Sequence, residues 1–339
     1  MKGLKHIVPI IGIMASSVSV HCQDLHFSQY YNNAIYLNPA NTGHIMRGDL
    51  RFTGLHRSQW RSVTTPFSSF YLSGDISEPF KKENLGLGLS LMNDIAGDSR
   101  FRTFSVQGLL ASSLSIGGEG EQSIRGGLQI GFTQKRIDDS DLRFDSQYTG
   151  SLYDPTASTG EALAFNAVSH LDLAAGIQYL RIQSDRKYLS AGISLFNING
   201  PDVAFQENAT ENLDTRFTFH SELSQPISDD WDVLPSVQFM SQGTYREVLL
   251  GSRFRYTLRD DVMVFRRVYT GVFGRLKDAA YVQVGMDYDR WTVGLSYDIN
   301  LSTLDVASQN RGGLEIAAIY VIDLFREVRE PHRKCPVYL

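Results

Sequence analysis

The chain has 339 residues, 42% hydrophobic, 11% aromatic and 20% charged, with a net charge of −5. Nineteen Phe and sixteen Tyr give it ample surface to bury, which excludes a disordered chain, and ten Pro are too few for a linker or collagen-like polymer. Past the first 22 residues its longest apolar run is 316–322, far short of the ~18 residues a membrane helix needs, and the acidic balance argues against a nucleic-acid partner.

Taken in chain order, the first element is a leader. Lys2 and Lys5 precede an apolar stretch from Ile7 to Ala15, and a polar stretch then leads to Cys22-Gln23-Asp24. This predicts a signal peptide over 1–22. The alternative is a lipoprotein with Cys22 acylated, against which the bulky His21 argues. Cys335 is then the one mature cysteine, so no internal disulfide staples the fold. Residues 23–47 show no alternation and carry a turn-like Asn38-Pro39-Ala40-Asn41-Thr42-Gly43. They are expected to form a lumen plug or a periplasmic latch.

From residue 48 onward apolar residues recur with period two. Leu85, Leu87, Leu89 and Leu91 oppose Gly86, Gly88 and Ser90, and the odd positions from Trp291 to Leu301 oppose Thr292, Gly294, Ser296, Asp298 and Asn300. One face of each such strand is greasy and the other small or polar. About fourteen segments follow this rule, near 48–61, 66–77, 85–95, 99–116, 123–137, 168–183, 188–198, 215–227, 232–242, 246–258, 267–276, 280–288, 290–301 and 312–322. A soluble β-sandwich also alternates. Here, however, the apolar faces end in Tyr, Trp or Phe, and short links alternate with long ones at 138–167, 199–214 and 302–311. Both traits predict an all-β protein: a transmembrane antiparallel β-barrel over 48–323 in the outer membrane, closed so that no strand edge faces lipid. An even strand number places both termini in the periplasm, with 324–339 as a periplasmic tail.

No catalytic, cofactor or metal site is expected, because the chain holds no G-x-S-x-G, H-E-x-x-H, Walker A or C-x-x-C. The pairs His220/Glu222 and His170/Asp172 read as surface or lumen polar pairs, and the acidic run Asp138, Asp139, Asp141 and Asp145 offers oxygen ligands for calcium but lacks the spacing and glycine of a calcium loop and reads as a solvated loop. The cations Arg51, Arg57, Arg61, Arg125, Lys135, Arg253 and Arg255 fall on lumen faces. They would either select anions in an open pore or pair with carboxylates such as Asp172, Glu222, Asp287 and Asp298, and pairing is the commoner case.

The stretch Gln23-Asp-Leu-His-Phe-Ser-Gln-Tyr30, with Tyr36-Leu-Asn-Pro-Ala40 and Thr42-Gly43, resembles the opening of the PorP/SprF family of type IX secretion outer-membrane proteins. His56-Arg-Ser-Gln-Trp60, Leu85-Gly-Leu-Gly88 and Cys335-Pro-Val-Tyr338 are similar to later motifs of that family, while Leu25 stands where Pro is common. The resemblance implies a non-enzymatic accessory of secretion and gliding. Its partners would be a secreted protein's C-terminal domain or a surface adhesin, other type IX secretion components and outer-membrane lipid. It implies no cofactor. A diffusion porin is the alternative. The expected docking residues are Phe27, Ser28, Gln29, Tyr30, Tyr36, Asn38, Pro39, Thr42, Gly43, Arg57, Gln59, Trp60, Cys335 and Pro336.

Overall fold

The computed structural model describes residues 24–59, 66–81, 84–97, 99–116, 122–138, 143–150, 152–154, 156–157, 166–206, 209–260, 264–301 and 311–324. The leader 1–22, Trp60, Arg61, Asp139, Asp141, Cys335 and Pro336 lie outside them. Among the described residues there are sixteen strands, and fourteen of these close into one antiparallel barrel. In chain order the barrel strands are β1 (Leu50–Gln59), β2 (Phe67–Ser77), β3 (Leu85–Ala96), β4 (Phe101–Ile116), β5 (Gln122–Arg136), β8 (Ala167–Ser184) and β9 (Lys187–Phe196). They continue with β10 (Arg216–Pro226), β11 (Trp231–Gln242), β12 (Tyr245–Asp260), β13 (Phe265–Arg275), β14 (Ala279–Tyr288), β15 (Trp291–Asn300) and β16 (Arg311–Ile322). The short β6 (Tyr148–Thr149) and β7 (Leu152–Tyr153) pair with each other in the longest connection.

Alternation of side chains decides which way each strand faces. On β5, Leu128, Ile130 and Phe132 are exposed on the outer wall, while Gln129, Thr133 and Lys135 are buried inside. Closure follows from β1 pairing β16 in continuous register, Leu50 opposite Ile322 through Gln59 opposite Gly313. That pairing leaves no open ladder at the seam, which hydrocarbon would penalise at several kcal/mol per group. Each barrel strand neighbours the next in sequence, so the links alternate between two rims. The rim where β1 begins carries two- to seven-residue turns, and the other carries the long connections along with short turns at 243–244 and 276–278. Aromatic pairs sit on the outer wall at the short-turn rim: Trp231 lies 4.9 Å from Tyr256, and Trp291 4.5 Å from Tyr320. Such rings suit the headgroup level of a bilayer.

The segment 24–49 threads the lumen from one rim to the other. At the long-connection rim the Asp24 N–H donates to Gln242 Oε1 (3.0 Å) and Asn197 Nδ2 donates to the Asp24 carboxylate (3.0 Å). At the short-turn rim Arg47 reaches Asp185 (2.6 Å) and Asp260 (2.9 Å). The other end of the described chain sits on this second rim, where the Leu324 N–H donates to Asp49 (2.8 Å). This corrects the expectation that both termini share one side of the membrane, since Asp24 and Leu324 sit at opposite rims. The even strand number does put residues 49 and 323 together, but the plug runs back through the barrel and carries residue 24 to the opposite face.

Candidate functional site

The barrel interior is a site built from two parts, a plug and the wall shaped to hold it. Near the long-connection half, the backbone N–H groups of Ser28 and Gln29 donate to the two carboxylate oxygens of Glu315, each at 2.8 Å. The Ser28 hydroxyl donates to Asp298 (2.7 Å), and the Tyr281 hydroxyl donates to the Ser28 carbonyl (2.6 Å). Arg57 ties the cluster together, bonding Asp298 (3.0 Å) and the His26 carbonyl, while Arg275 lies 3.4 Å from Glu247 and 3.7 Å from Asp298. Three carboxylates and two guanidiniums thus share one buried network, in which Asp298 and Glu247 face guanidiniums and Glu315 is held by backbone N–H groups, so that each buried polar group has a partner.

Aromatic packing fills the space between these bonds. Phe27, Tyr36 and Tyr71 meet edge to face at 5.5–6.0 Å, and Tyr30 and Tyr31 pack on Phe273, which stacks on Tyr281 at 4.9 Å. Offset and edge contacts of this kind add to simple area burial.

Lower in the lumen the turn Asn38–Gly43 is held by its backbone. The Asn38 amide donates to the carbonyls of Ile177 and Ile193 (3.1 Å each), and its Oδ1 accepts from the Ala40 N–H (2.9 Å), capping the short helix 39–41. Arg125 donates to the carbonyls of Ala40 (3.0 Å) and Thr42 (2.8 Å). The Gly43 N–H donates to Asp75 (2.8 Å), whose carboxylate Arg51 also grips at 2.7 and 2.9 Å. Wall glycines leave the room for this. A Cβ at Gly127 would stand 2.3 Å from the Ala40 nitrogen, and one at Gly176 2.0 Å from Asn38 Oδ1.

Burial sets the protonation of the plug histidines. Desolvation, reinforced by Arg125 and Arg51, pushes His44 down to about 3; desolvation, reinforced by Arg275 and Arg57, holds His26 well below its ordinary value. Both imidazoles are neutral at physiological pH.

Below the plug the lumen opens at the short-turn rim into a cavity of about 980 Å³. Tyr30, Tyr31, Leu37 and Asn41 of the plug line it, with Gln178, Leu180, Tyr188, Ser190 and His220 of the wall. Charged groups near its mouth pair with one another: Arg255 with Asp232 (2.9 Å), Arg267 with Asp260 (2.7 Å) and Arg290 with Asp323 (3.4 Å).

Of the residues singled out in the sequence, Phe27, Ser28, Gln29, Tyr30, Asn38, Pro39, Thr42 and Arg57 are gathered in the lumen and buried, Tyr36 and Gly43 with them. Gln59 does not join them; it ends β1 at the long-connection rim, opposite Phe67 and Gly313. Five of the lumen cations are tied down, Arg57 on Asp298 and Arg253 on Glu222 (2.5 Å) as anticipated, but Arg51 and Arg255 on Asp75 and Asp232, and Arg125 on plug carbonyls, while Lys135 is buried on the inner face of β5. Sequence reasoning missed Glu315 and Arg275. The signal for Glu315 was present, since it is an acidic side chain between Leu314 and Ile316 at an inward position of an otherwise apolar strand.

A family model described as "Type IX secretion system membrane protein PorP/SprF" matches residues 19–320. A search among curated proteins found no match. Solved structures similar in fold include the toluene transporter TodX of Pseudomonas putida, at TM-score 0.51 and 12% identity, covering 85% of this chain and 92% of that one. The toluene transporter TbuX of Ralstonia pickettii gives TM-score 0.49 and 10% identity over 85% of this chain and 93% of that one. A FadL homologue of Pseudomonas aeruginosa gives 0.40 and 10%, over 85% and 94%. At such identities the likeness concerns the outer-membrane barrel fold alone.

Proposed function

The chain belongs to the PorP/SprF family of type IX secretion system membrane proteins, and on that premise we propose that it is an outer-membrane accessory that binds a secreted substrate or surface adhesin and supports its export or display. The observation that carries this reading is the plug. A segment bonded to the wall at both rims and seated against wall backbone at Gly127 and Gly176 fills the lumen at those levels. A barrel so filled suits a docking platform better than a diffusion pore, and among the described residues the polar network forms no recognisable catalytic set. In this reading the short turns face the periplasm, as in other outer-membrane barrels. The tail beyond Leu324, with Cys335 and Pro336, meets the secretion machinery there. Phe27, Tyr30 and their neighbours act indirectly, by fixing the interior and the rims that partners touch.

The test is a tagged chain expressed at its normal level, with co-purification from outer membranes and surface display of the cognate protein as readouts. Removing 325–339 should leave an inserted barrel and abolish display. Normal display by that variant would remove the tail from the account, and altered solute uptake with unchanged secretion would favour the porin.

A further inference from the structure

The cavity at the short-turn rim has a bar across its mouth. The chain enters β1 through Asp49, whose backbone is tied to Ile322 and Ser77. The Arg47 side chain, two residues earlier, reaches Asp185 in the β8–β9 turn (2.6 Å) and Asp260 at the end of β12 (2.9 Å). In the barrel β12 stands five strands from β1 in one direction and β8 five in the other, so this lead-in crosses the mouth toward its far side. Both acceptors are placed without Arg47. Arg186 fixes the β8–β9 turn to Asp232 (2.7 Å) and to the carbonyls of Ser228 and Asp229, and Arg267 holds Asp260 (2.7 Å). The Arg47 guanidinium also lies over the Phe265 ring, 3.7 Å from its centre, as that of Arg267 does at 4.2 Å.

The stretch that carries Arg47 has little else to hold it. Among the described residues the backbone from Ile45 to Gly48 makes no hydrogen bond. Gly43 (φ 69°) and Gly48 (φ 93°) bracket it in the left-handed region. Each end is anchored, the Gly43 N–H on Asp75 and the Asp49 N–H on Ile322. Ile45, Met46, Arg47 and Gly48 line the cavity. The side chains of Arg47, Asp185 and Asp260 are 31–46% exposed, and ion pairs so exposed are weak and screened by salt. A short span with fixed ends, no backbone bonds between them and one side chain fastening it to a rigid rim is a flap with a latch.

We propose that residues 45–48 are a gate on the short-turn side of the lumen, latched by Arg47 on Asp185, Asp260 and Phe265. Competing charge opens it by releasing that one guanidinium, while the plug above, with its buried network, stays seated.

The experiment uses the full chain in lipid nanodiscs, in a Cys335→Ser background, and times the labelling of a single cysteine by a bulky sulfonated maleimide. The cysteine is Ser190→Cys in the cavity, Asp230→Cys on the exposed rim or Ser105→Cys in the packed upper lumen. With Arg47 in place, Ser190→Cys should label far more slowly than Asp230→Cys. NaCl at about 1 M, where the screening length falls to about 3 Å, should speed it severalfold. Arg47→Gln should speed it at least about tenfold and remove the salt effect. Arg47→Lys should fall between, since an ammonium keeps the charge without the fork that grips two carboxylates. Ser105→Cys should label slowly throughout. Heat-modifiability on gels identifies variants that have lost the barrel, and Asp185→Asn, which weakens the latch from the rim, serves where Arg47→Gln does not fold. Unchanged labelling in the latch variants, a salt effect that survives Arg47→Gln, or Ser190→Cys labelling as fast as Asp230→Cys with Arg47 present would overturn the proposal. So would fast labelling of Ser105→Cys in Arg47→Gln, which would make Arg47 a staple of the whole plug rather than the latch of its lower end.

Discussion

Gly176 and Gly126 are both strand glycines, yet they predict opposite outcomes. A Cβ at Gly176 meets Asn38 at 2.0 Å, and one at Gly126 meets nothing within 4 Å. Gly176→Ala should cost about 1–3 kcal/mol by overpacking, seen as a lower heat-modification midpoint and protease cleavage within 24–49, with Gly126→Ala close to wild type. Glu315 is the second residue to test. Glu315→Ala strands two buried N–H groups and should cost about 2–5 kcal/mol, whereas Glu315→Gln keeps one acceptor and should cost less; equal losses would mean that the bonds to Ser28 and Gln29 matter little. The plug histidines add a pH dependence. Their folded pKa values are lowered by burial, so the unfolded chain takes up protons first as pH falls below about 6.5. The stability they contribute is complete above that pH and is lost progressively toward about 3 for His44. The midpoint should drop between pH 7.5 and 5, by less in His44→Gln; a wild-type midpoint that does not move would contradict imidazoles held neutral inside the barrel.

At the level of the strand, β15 separates lipid from lumen residue by residue. Leu295 is 42% exposed on the outer wall and Ser296 is 1% exposed inside. Leu295→Arg should cost roughly 2–4 kcal/mol if it lies near the bilayer midplane. An open polar lumen would tolerate Ser296→Arg, but here Ser296 faces Glu315 across the ladder in a packed interior, so that change should also fail. Thr292→Arg, beside the cavity, should be tolerated. Folding yields of the three variants check this ordering, and a stable Ser296→Arg would argue that the plug yields easily.

For the whole molecule the path of the plug decides which face shows which end. With the short turns periplasmic, a thiol label on Thr156→Cys and a small tag just before Asp24 should both be reachable on intact cells, in a Cys335→Ser background. A tag following Leu324 should be reachable only after permeabilisation. Labelling of the Leu324 tag alone from outside would invert the barrel in the membrane.

Composition and period two were enough to determine the barrel, its strand number and the gathering of the long links on one rim, because each follows from counting strands whose faces alternate. The same alternation placed Arg57 and Asp298 in the lumen, and the motif around Asn38 marked 23–47 as something other than wall. What the pattern could not carry was the meeting of residues far apart in sequence. That Glu315 receives Ser28 and Gln29, that Arg51 chooses Asp75, and that Gly127 and Gly176 make room for Ala40 and Asn38 depend on barrel closure and strand stagger. Period-two alternation says in or out, but it is silent on height and azimuth within the lumen. The direction of the plug was hidden for the same reason: nothing local distinguishes a segment that stops at the near mouth from one that crosses to the far rim, and only the closed wall, with Asn197 and Gln242 waiting at that rim for Asp24, decides it.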